Sequence, residues 1–371
     1  MKKSLFILAA AVAVLASCQK TPEIKTNVTE PINLDYSGGE LTVTVNANGS
    51  WVADVDPAST AQVYVVPDTG EGPAEVTVSV AENLTNDPLV AVIRFTCTIG
   101  AEGAITTIAI NQGVLTSVTW GGVEYPVKKM KDGNFWFTQN LRYVPEGMTP
   151  AKELTAVTAG IFYPIVVNAA QTAAEFSEAP EVIARNGYLY QAEVALGLKV
   201  GDLTTVEAAQ ALEGAQGICP PGWHIPTLSD IQGLVGKTAL IENNPDAPYF
   251  DGTNGSIVKL NEDGFNMDAF GAISIIDNTK TTGTFMGWAK AYPAKLSSEM
   301  FCGSTCAKPL NSWYNTSGDP NSGIKNLQFY GFMPMTNKAT EAEYTCNGSS
   351  VSFRVAAPVR CVKNYVVDVI R

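Results

Sequence analysis

The chain has 371 residues, 46% of them hydrophobic and only 16% charged, against about 25% charged in an average soluble protein. That composition excludes a disordered chain and supplies apolar material for roughly two or three domains. The net charge of −12 excludes a nucleic-acid phosphate backbone as partner, because no basic surplus exists to displace counterions. A single histidine, His224, excludes a His-rich metal centre and argues against a Ser-His-Asp apparatus.

Residues 1–17 have the layout of an export signal. Lys2 and Lys3 form a positive start, and Leu5 through Ala16 form an apolar run. That run is shorter than the roughly 20 residues a mature membrane-spanning helix needs. It ends in Leu15-Ala16-Ser17-Cys18, which resembles the lipobox of bacterial lipoproteins. The resemblance implies that the Cys18 thiol takes a diacylglycerol and becomes the acylated N-terminus. More than one acyl chain is enough for stable anchoring. Residues 18–30 (through QKTPEIKTNVT) are polar and aperiodic, and are expected to be a lipidated tether. Lys20 and Glu23 are similar to the Lys-plus-acid signal that sends some Bacteroidetes lipoproteins to the outer face. The expectation is a protein lipid-anchored in the outer membrane and exposed at the cell surface.

Residues 31–114 alternate with period two. Leu41, Val43 and Val45 alternate with polar neighbours, as do Val76, Val78 and Val80, and then Ala91, Ile93, Phe95 and Cys97. Gly38-Gly39, Asn48-Gly49 and Gly70-Glu71-Gly72 supply turns. About seven short strands at this spacing predict an all-β, immunoglobulin-like sandwich. Trp51 is the expected core aromatic, and Cys97, sharing the parity of Ile93 and Phe95, is an expected buried thiol. The runs GGELTVTVNANGSWVADV, GEGPAEVTVSVAEN and AINQ resemble the BACON domain, a Bacteroidetes module whose name implies carbohydrate binding. The second tryptophan common in that family is absent around Ala58–Val66. A spacer role is therefore expected in preference to sugar contact.

Past Val114 the chain becomes rich in Trp, Tyr, Phe, Pro and Gly. VTWGGVEYPVKKMKDGNFWFTQNLRY predicts two strands joined at Asp132-Gly133. Gln191 to Leu198 predicts a short helix. Thr227, with Asp230 three residues on, predicts a capped helix start, and Ile231, Leu234 and Val235 give that helix an apolar face. SVSFRVAAPVRCVKN predicts a pair of strands containing Cys361. Six landmarks occur in order: Tyr125-Pro126-Val127, Phe135-Trp136-Phe137 with Gln139-Asn140-Leu141, GYLY at 187–190, CPPGWHIPT at 219–227, GF at 264–265, and VRCVK at 359–363. Together they resemble the Fibrobacter succinogenes major paralogous (FISUMP) domain, over roughly Val118 to Lys363. That resemblance implies an α+β, C-type-lectin-like domain over 118–364, with long loops that present ligand. Residues 145–186 carry no landmark. Residues 365–371 (YVVDVIR) alternate and are a C-terminal strand or tail.

Seven cysteines are present. Cys219 and Cys361 fall in two landmarks of the family, and that placement implies a disulfide between them. Cys346 is expected to pair with Cys302 or Cys306. The spacing of Cys302, Cys306, Cys346 and His224 is not that of a zinc ribbon or finger, so no metal is expected, nor any cofactor. His224, between Cys219 and the capped helix, reads as a structural residue. No nucleophile–base set assembles, so no catalytic residue is nominated and a non-enzymatic protein is expected. Ligand contact is expected in the 301–348 segment, at Trp313, Tyr314 and Asn315, with Asp319 and Asn321 in a short match to the acidic-Pro-Asn motif of C-type lectins. Tyr and Trp give contact area at small entropy cost, and Asn adapts its hydrogen bonds. The expected function is display of a lectin-like binding domain for a glycan or another surface ligand. The alternative is an assembly subunit of a pilus tip or surface complex, with the 365–371 segment adding to a partner's sheet.

Overall fold

The computed structural model describes residues 20–167, 173–203, 208, 211–236, 243–267, 270–274, 282–286, 328–336, 344–352 and 355–363. The chain divides into two compact units, Met1–Val114 and Leu115–Arg371.

The described residues of the first unit form strands and no helix. Its strands are β1 (Ile24–Thr26), β2 (Ile32–Leu34), β3 (Gly39–Ala47), β4 (Ser50–Val55), β5 (Val63–Val66), β6 (Thr69–Glu71), β7 (Ala74–Val80), β8 (Leu89–Ile99) and β9 (Glu102–Gln112). They form two sheets, in the orders β1-β3-β7-β5 and β2-β9-β8-β4-β6. Alternation explains the layering, because period-two side chains point to opposite faces. Val43, Val45, Val76, Val78, Ile93, Phe95 and Ile110 come from both sheets and share one buried cluster. Trp51 is 1% exposed, lies 6.2 Å from the Phe95 ring, and donates its indole N–H to the Gly72 carbonyl at 3.0 Å. Gly70 sits against this ring so closely that a Cβ there would come within 2.4 Å of it. Gln112 closes the unit by donating to the carbonyls of Tyr36 and Ala81. Cys97 is buried and unbridged.

The expected range 31–114 holds eight strands among the described residues, β2 to β9, against about seven expected. One expectation changes. The expected tether over 18–30 contains β1, whose Ile24 is buried and pairs with Ala47. A three-residue strand with one buried side chain leaves no periodicity to read.

The second unit mixes short strands with short helices. One sheet runs in the order Ser117–Trp120, Val123–Lys129, Phe135–Phe137, Val362–Lys363. Another runs Ile161–Phe162, Leu189–Gln191, Val355–Ala357, Ala272–Ser274, Thr284–Met286. A third pairs Gly255–Ser256 with Tyr344–Ser352, and that strand with Gln328–Thr336. The hairpin at Asp132-Gly133 is present, with Val127 opposite Phe137. The segment before it holds a second hairpin, in which Trp120 pairs with Val123. Gly121 and Gly122 take φ of 56° and 77° there, the left-handed backbone a tight two-residue turn demands. Val355–Ala357 and Val362–Lys363 are not a hairpin: they lie in different sheets, and Pro358 to Cys361 carries the chain between them. The 301–348 segment, expected to be loop, contains the nine-residue strand Gln328–Thr336. The 145–186 stretch, which lacks landmarks, contributes strands and the helix Pro180–Asn186.

Candidate functional site

The landmark block of the second unit is tied down at several points. Cys219 is disulfide-bonded to Cys361 across 142 residues of chain, with their Cα atoms 5.8 Å apart. Beside the bridge, His224 and Val362 exchange backbone hydrogen bonds of 2.9 and 3.0 Å. Trp223, 6% exposed, meets the Phe137 ring edge-on at 4.8 Å.

The helix Leu228–Val235 begins at Thr227 with a complete capping box. The Asp230 N–H donates to Thr227 Oγ1 at 3.1 Å, and the Asp230 carboxylate accepts from the Thr227 N–H at 2.8 Å. The same oxygen lies 3.1 Å from His224 Nε2. The one histidine is thus held by the carboxylate that caps the next helix. Ile231, Leu234 and Val235 are fully buried beneath it, with Trp136 and Phe265.

Two further polar groups serve the frame. Arg360, 1% exposed, donates to Asn140 Oδ1 at 2.8 Å, to the Asn266 carbonyl at 2.8 Å, and to the Phe265 carbonyl. Its guanidinium lies 4.6 Å from the centre of the Phe265 ring. Asp132 accepts from the Trp136 indole at 2.9 Å and the Asn134 N–H at 3.1 Å. Burial pushes its carboxyl up to about 6, against the pull of those donors and with help from the nearby Asp230 charge.

The concavities on this unit include one of about 390 Å³ lined by Lys152, Leu154, Glu178 and Phe285, among others, and two larger ones. A cleft of about 780 Å³ is lined by Thr138, Gln139, Arg185, Asn261, Asn266 and Arg360, among others. Its inner polar groups are engaged in the fold: Arg360 as above, Asn261 with both backbone groups of Met267 at 2.8 and 2.6 Å, and Thr138 with the Pro126 carbonyl. A groove of about 720 Å³ is lined by Trp120, Tyr143, Glu146, Thr158, Lys199 and Ile218, among others. The Trp120 and Tyr143 rings lie 5.1 Å apart at 36°. Both volumes fall in the range of small-molecule sites, roughly 300–1,000 Å³.

Among the residues nominated from sequence, Cys219 and Cys361 are brought together, and His224 is structural in its bonding. Cys18, Cys302, Cys306, Trp313, Tyr314, Asn315, Asp319, Asn321 and the 365–371 segment lie outside the described residues. Cys346 lies in the strand Tyr344–Ser352, opposite Gly255 and Pro334. Among the described residues no group of three His, Cys, Asp or Glu side chains is placed to hold a metal ion, and no helix is long and apolar enough to cross a membrane. The groove was not anticipated. Its residues are scattered from 120 to 218, and only the Trp120-Gly121-Gly122 turn gave a local signal.

The second unit is therefore a disulfide-clamped mixture of short strands and capped helices, framed by the CPPGWHIPT and VRCVK blocks. The family model for the Fibrobacter succinogenes major domain matches residues 132–363, more than half of the chain, and the chain belongs to that family. Among curated proteins none matches. Several solved structures are similar over part of the chain. A Bacteroides ovatus GH5 xyloglucanase in complex with a XXXG heptasaccharide is 13% identical, with 50% of this chain and 36% of that one covered and a TM-score of 0.23. The C. elegans MSP family member WR4 is 14% identical, covering 24% of this chain and 94% of its own, with a TM-score of 0.19. A nucleoside hydrolase-related protein from Saccharophagus degradans, associated with carbohydrate metabolism, is 13% identical over 26% of each chain, with a TM-score of 0.19. The chain thus spans about a third of the length of the xyloglucanase.

Proposed function

We propose that this chain is a non-enzymatic lipoprotein, held in the outer membrane through an acylated Cys18 and displaying its second unit as a binding domain for a glycan or another surface ligand. On this reading the first unit is an immunoglobulin-like, BACON-type spacer. The second unit is a C-type-lectin-like display module. The order of parts supports it: export signal with lipobox, a β-rich spacer, then the family domain.

The observation that carries the reading is the division of labour in the second unit. The disulfide, the capping box and the Arg360 network hold the landmark blocks as a frame, while a groove walled by aromatic rings stands beside it. A preformed concavity on a rigid frame binds with less ordering cost than a mobile one. The test is a glycan array probed with the purified mature chain. Saturable binding to a defined subset of glycans is expected. Binding to no glycan, with recovery in a stable complex of envelope proteins instead, would favour the assembly-subunit reading.

A further inference from the structure

The groove beside the 117–129 hairpin has the makings of a sugar site, and its parts come from five separate stretches of chain. Trp120 ends the strand Ser117–Trp120. Its indole N–H is committed inward, donating to the Ile218 carbonyl at 2.9 Å, so the ring offers the groove carbon surface and no donor. Tyr143 lies against it, tilted. Gly121 leaves room for this approach: a Cβ there would fall 2.5 Å from the Tyr143 ring. The Tyr143 backbone is fixed from below, where its carbonyl accepts from the Tyr190 hydroxyl at 2.7 Å. Both rings are half-buried.

The other lining segments are held as well. Glu193, 3% exposed, accepts from the N–H groups of Gly201 and Leu203 at 3.0 Å each. This pins the loop that carries Lys199. Ile218 N–H donates to the Ala195 carbonyl at 3.0 Å. The groove is therefore preformed. At its rim stand three exposed polar side chains: Glu146, Thr158 and Lys199.

Resting on the reading of this domain as a glycan-binding module, we infer that the Trp120–Tyr143 groove is the carbohydrate subsite and that it takes a neutral pyranose. A pyranose has one face rich in C–H bonds and an edge of hydroxyls. The aromatic pair matches the face, as ring surfaces do for apolar contact with a polar rim. Glu146 accepts from hydroxyls, Lys199 donates to them and Thr158 does both. The one carboxylate and one ammonium balance, so the groove selects neither an anionic nor a cationic ligand. Among the described residues the larger cleft is lined by a single aromatic ring, Phe270, and has committed its inner polar groups to the fold.

The experiment titrates the intact mature chain and its variants with neutral tetrasaccharides of glucose, mannose and galactose, read by calorimetry and by saturation-transfer NMR. Tyr143→Ala is expected to weaken the best of these by about tenfold or more, the scale of one lost ring contact. Thr158→Trp changes an exposed rim residue, so the fold is kept while the groove is filled, and binding is expected to be lost. Glu146→Gln is expected to weaken binding several-fold without moving the melting temperature. If the parent binds none of the sugars on this panel or on the array, the glycan-binding reading itself fails, and this site with it. If the parent binds and Thr158→Trp binds equally well, this site is wrong and the display reading stands.

Discussion

His224 Nε2 lies 3.1 Å from the Asp230 carboxylate, so the chain's single histidine is tied to the residue that closes the next helix's capping box. Asp230 is 6% exposed and its Oδ2 also takes the Thr227 N–H and hydroxyl. One carboxylate therefore fixes the end of the CPPGWHIPT block and the start of the helix together.

This hub sets the first prediction. Thr227→Ala removes the acceptor for the Asp230 N–H and is expected to cost about 1 kcal/mol. Asp230→Ala strands the Thr227 N–H and the His224 ring as well, and is expected to cost about 2–3 kcal/mol. Denaturant melts of the two variants measure this. Equal, negligible losses would mean that the hub holds nothing.

The disulfide gives the second. Closing a loop of 142 residues stabilises by about 5 kcal/mol in the chain-entropy model. Cys219→Ser with Cys361→Ser is expected to lower the unfolding free energy of the second unit on that scale. Peptide mapping of the native protein without reductant is expected to recover Cys219 joined to Cys361.

Asp132 gives a pH dependence. Burial raises its carboxyl to about 6, above the unfolded value of 3.8. The folded state therefore binds the proton more tightly, and stability attributable to this group falls as pH rises from about 4 to about 6. The penalty is complete above that window and absent below it. Asp132→Asn removes the ionisation. The stability difference between variant and parent is expected to shift in the variant's favour by at most about 3 kcal/mol between pH 4 and pH 7. A difference that is flat across this range would contradict the assignment.

The anchor gives the fourth. Cys18→Ala is expected to abolish labelling by a fatty-acid analogue and to release the chain from membranes or leave it unprocessed. Equal label in the variant would overturn the lipoprotein reading.

What was legible from sequence was what repeats or recurs locally. Val43, Val45, Val76 and Val78 announce their inward face because strand side chains alternate. Thr227 and Asp230 announce a cap because both halves of the motif lie within one turn. The Cys219–Cys361 pair was legible only through the family blocks in which the two residues sit, since nothing local joins positions 142 residues apart. Ile24 was illegible because a single buried residue in a three-residue strand sets no pattern. The groove was illegible for a deeper reason. Trp120, Tyr143, Thr158 and Lys199 meet only after the strands and loops between them have packed, and each alone reads as an ordinary half-buried or surface residue.

A lipid-anchored chain that presents a glycan-binding domain at the cell surface makes the cell that carries it adhere to glycans. Adhesion of whole cells to glycan-coated surfaces tests it most directly, comparing cells that carry the parent chain, Cys18→Ala and no chain. Adhesion to a defined subset of glycans is expected only for cells with the parent chain, competed by the same glycans in solution. Equal adhesion by cells lacking the chain, or by cells carrying Cys18→Ala, would contradict it.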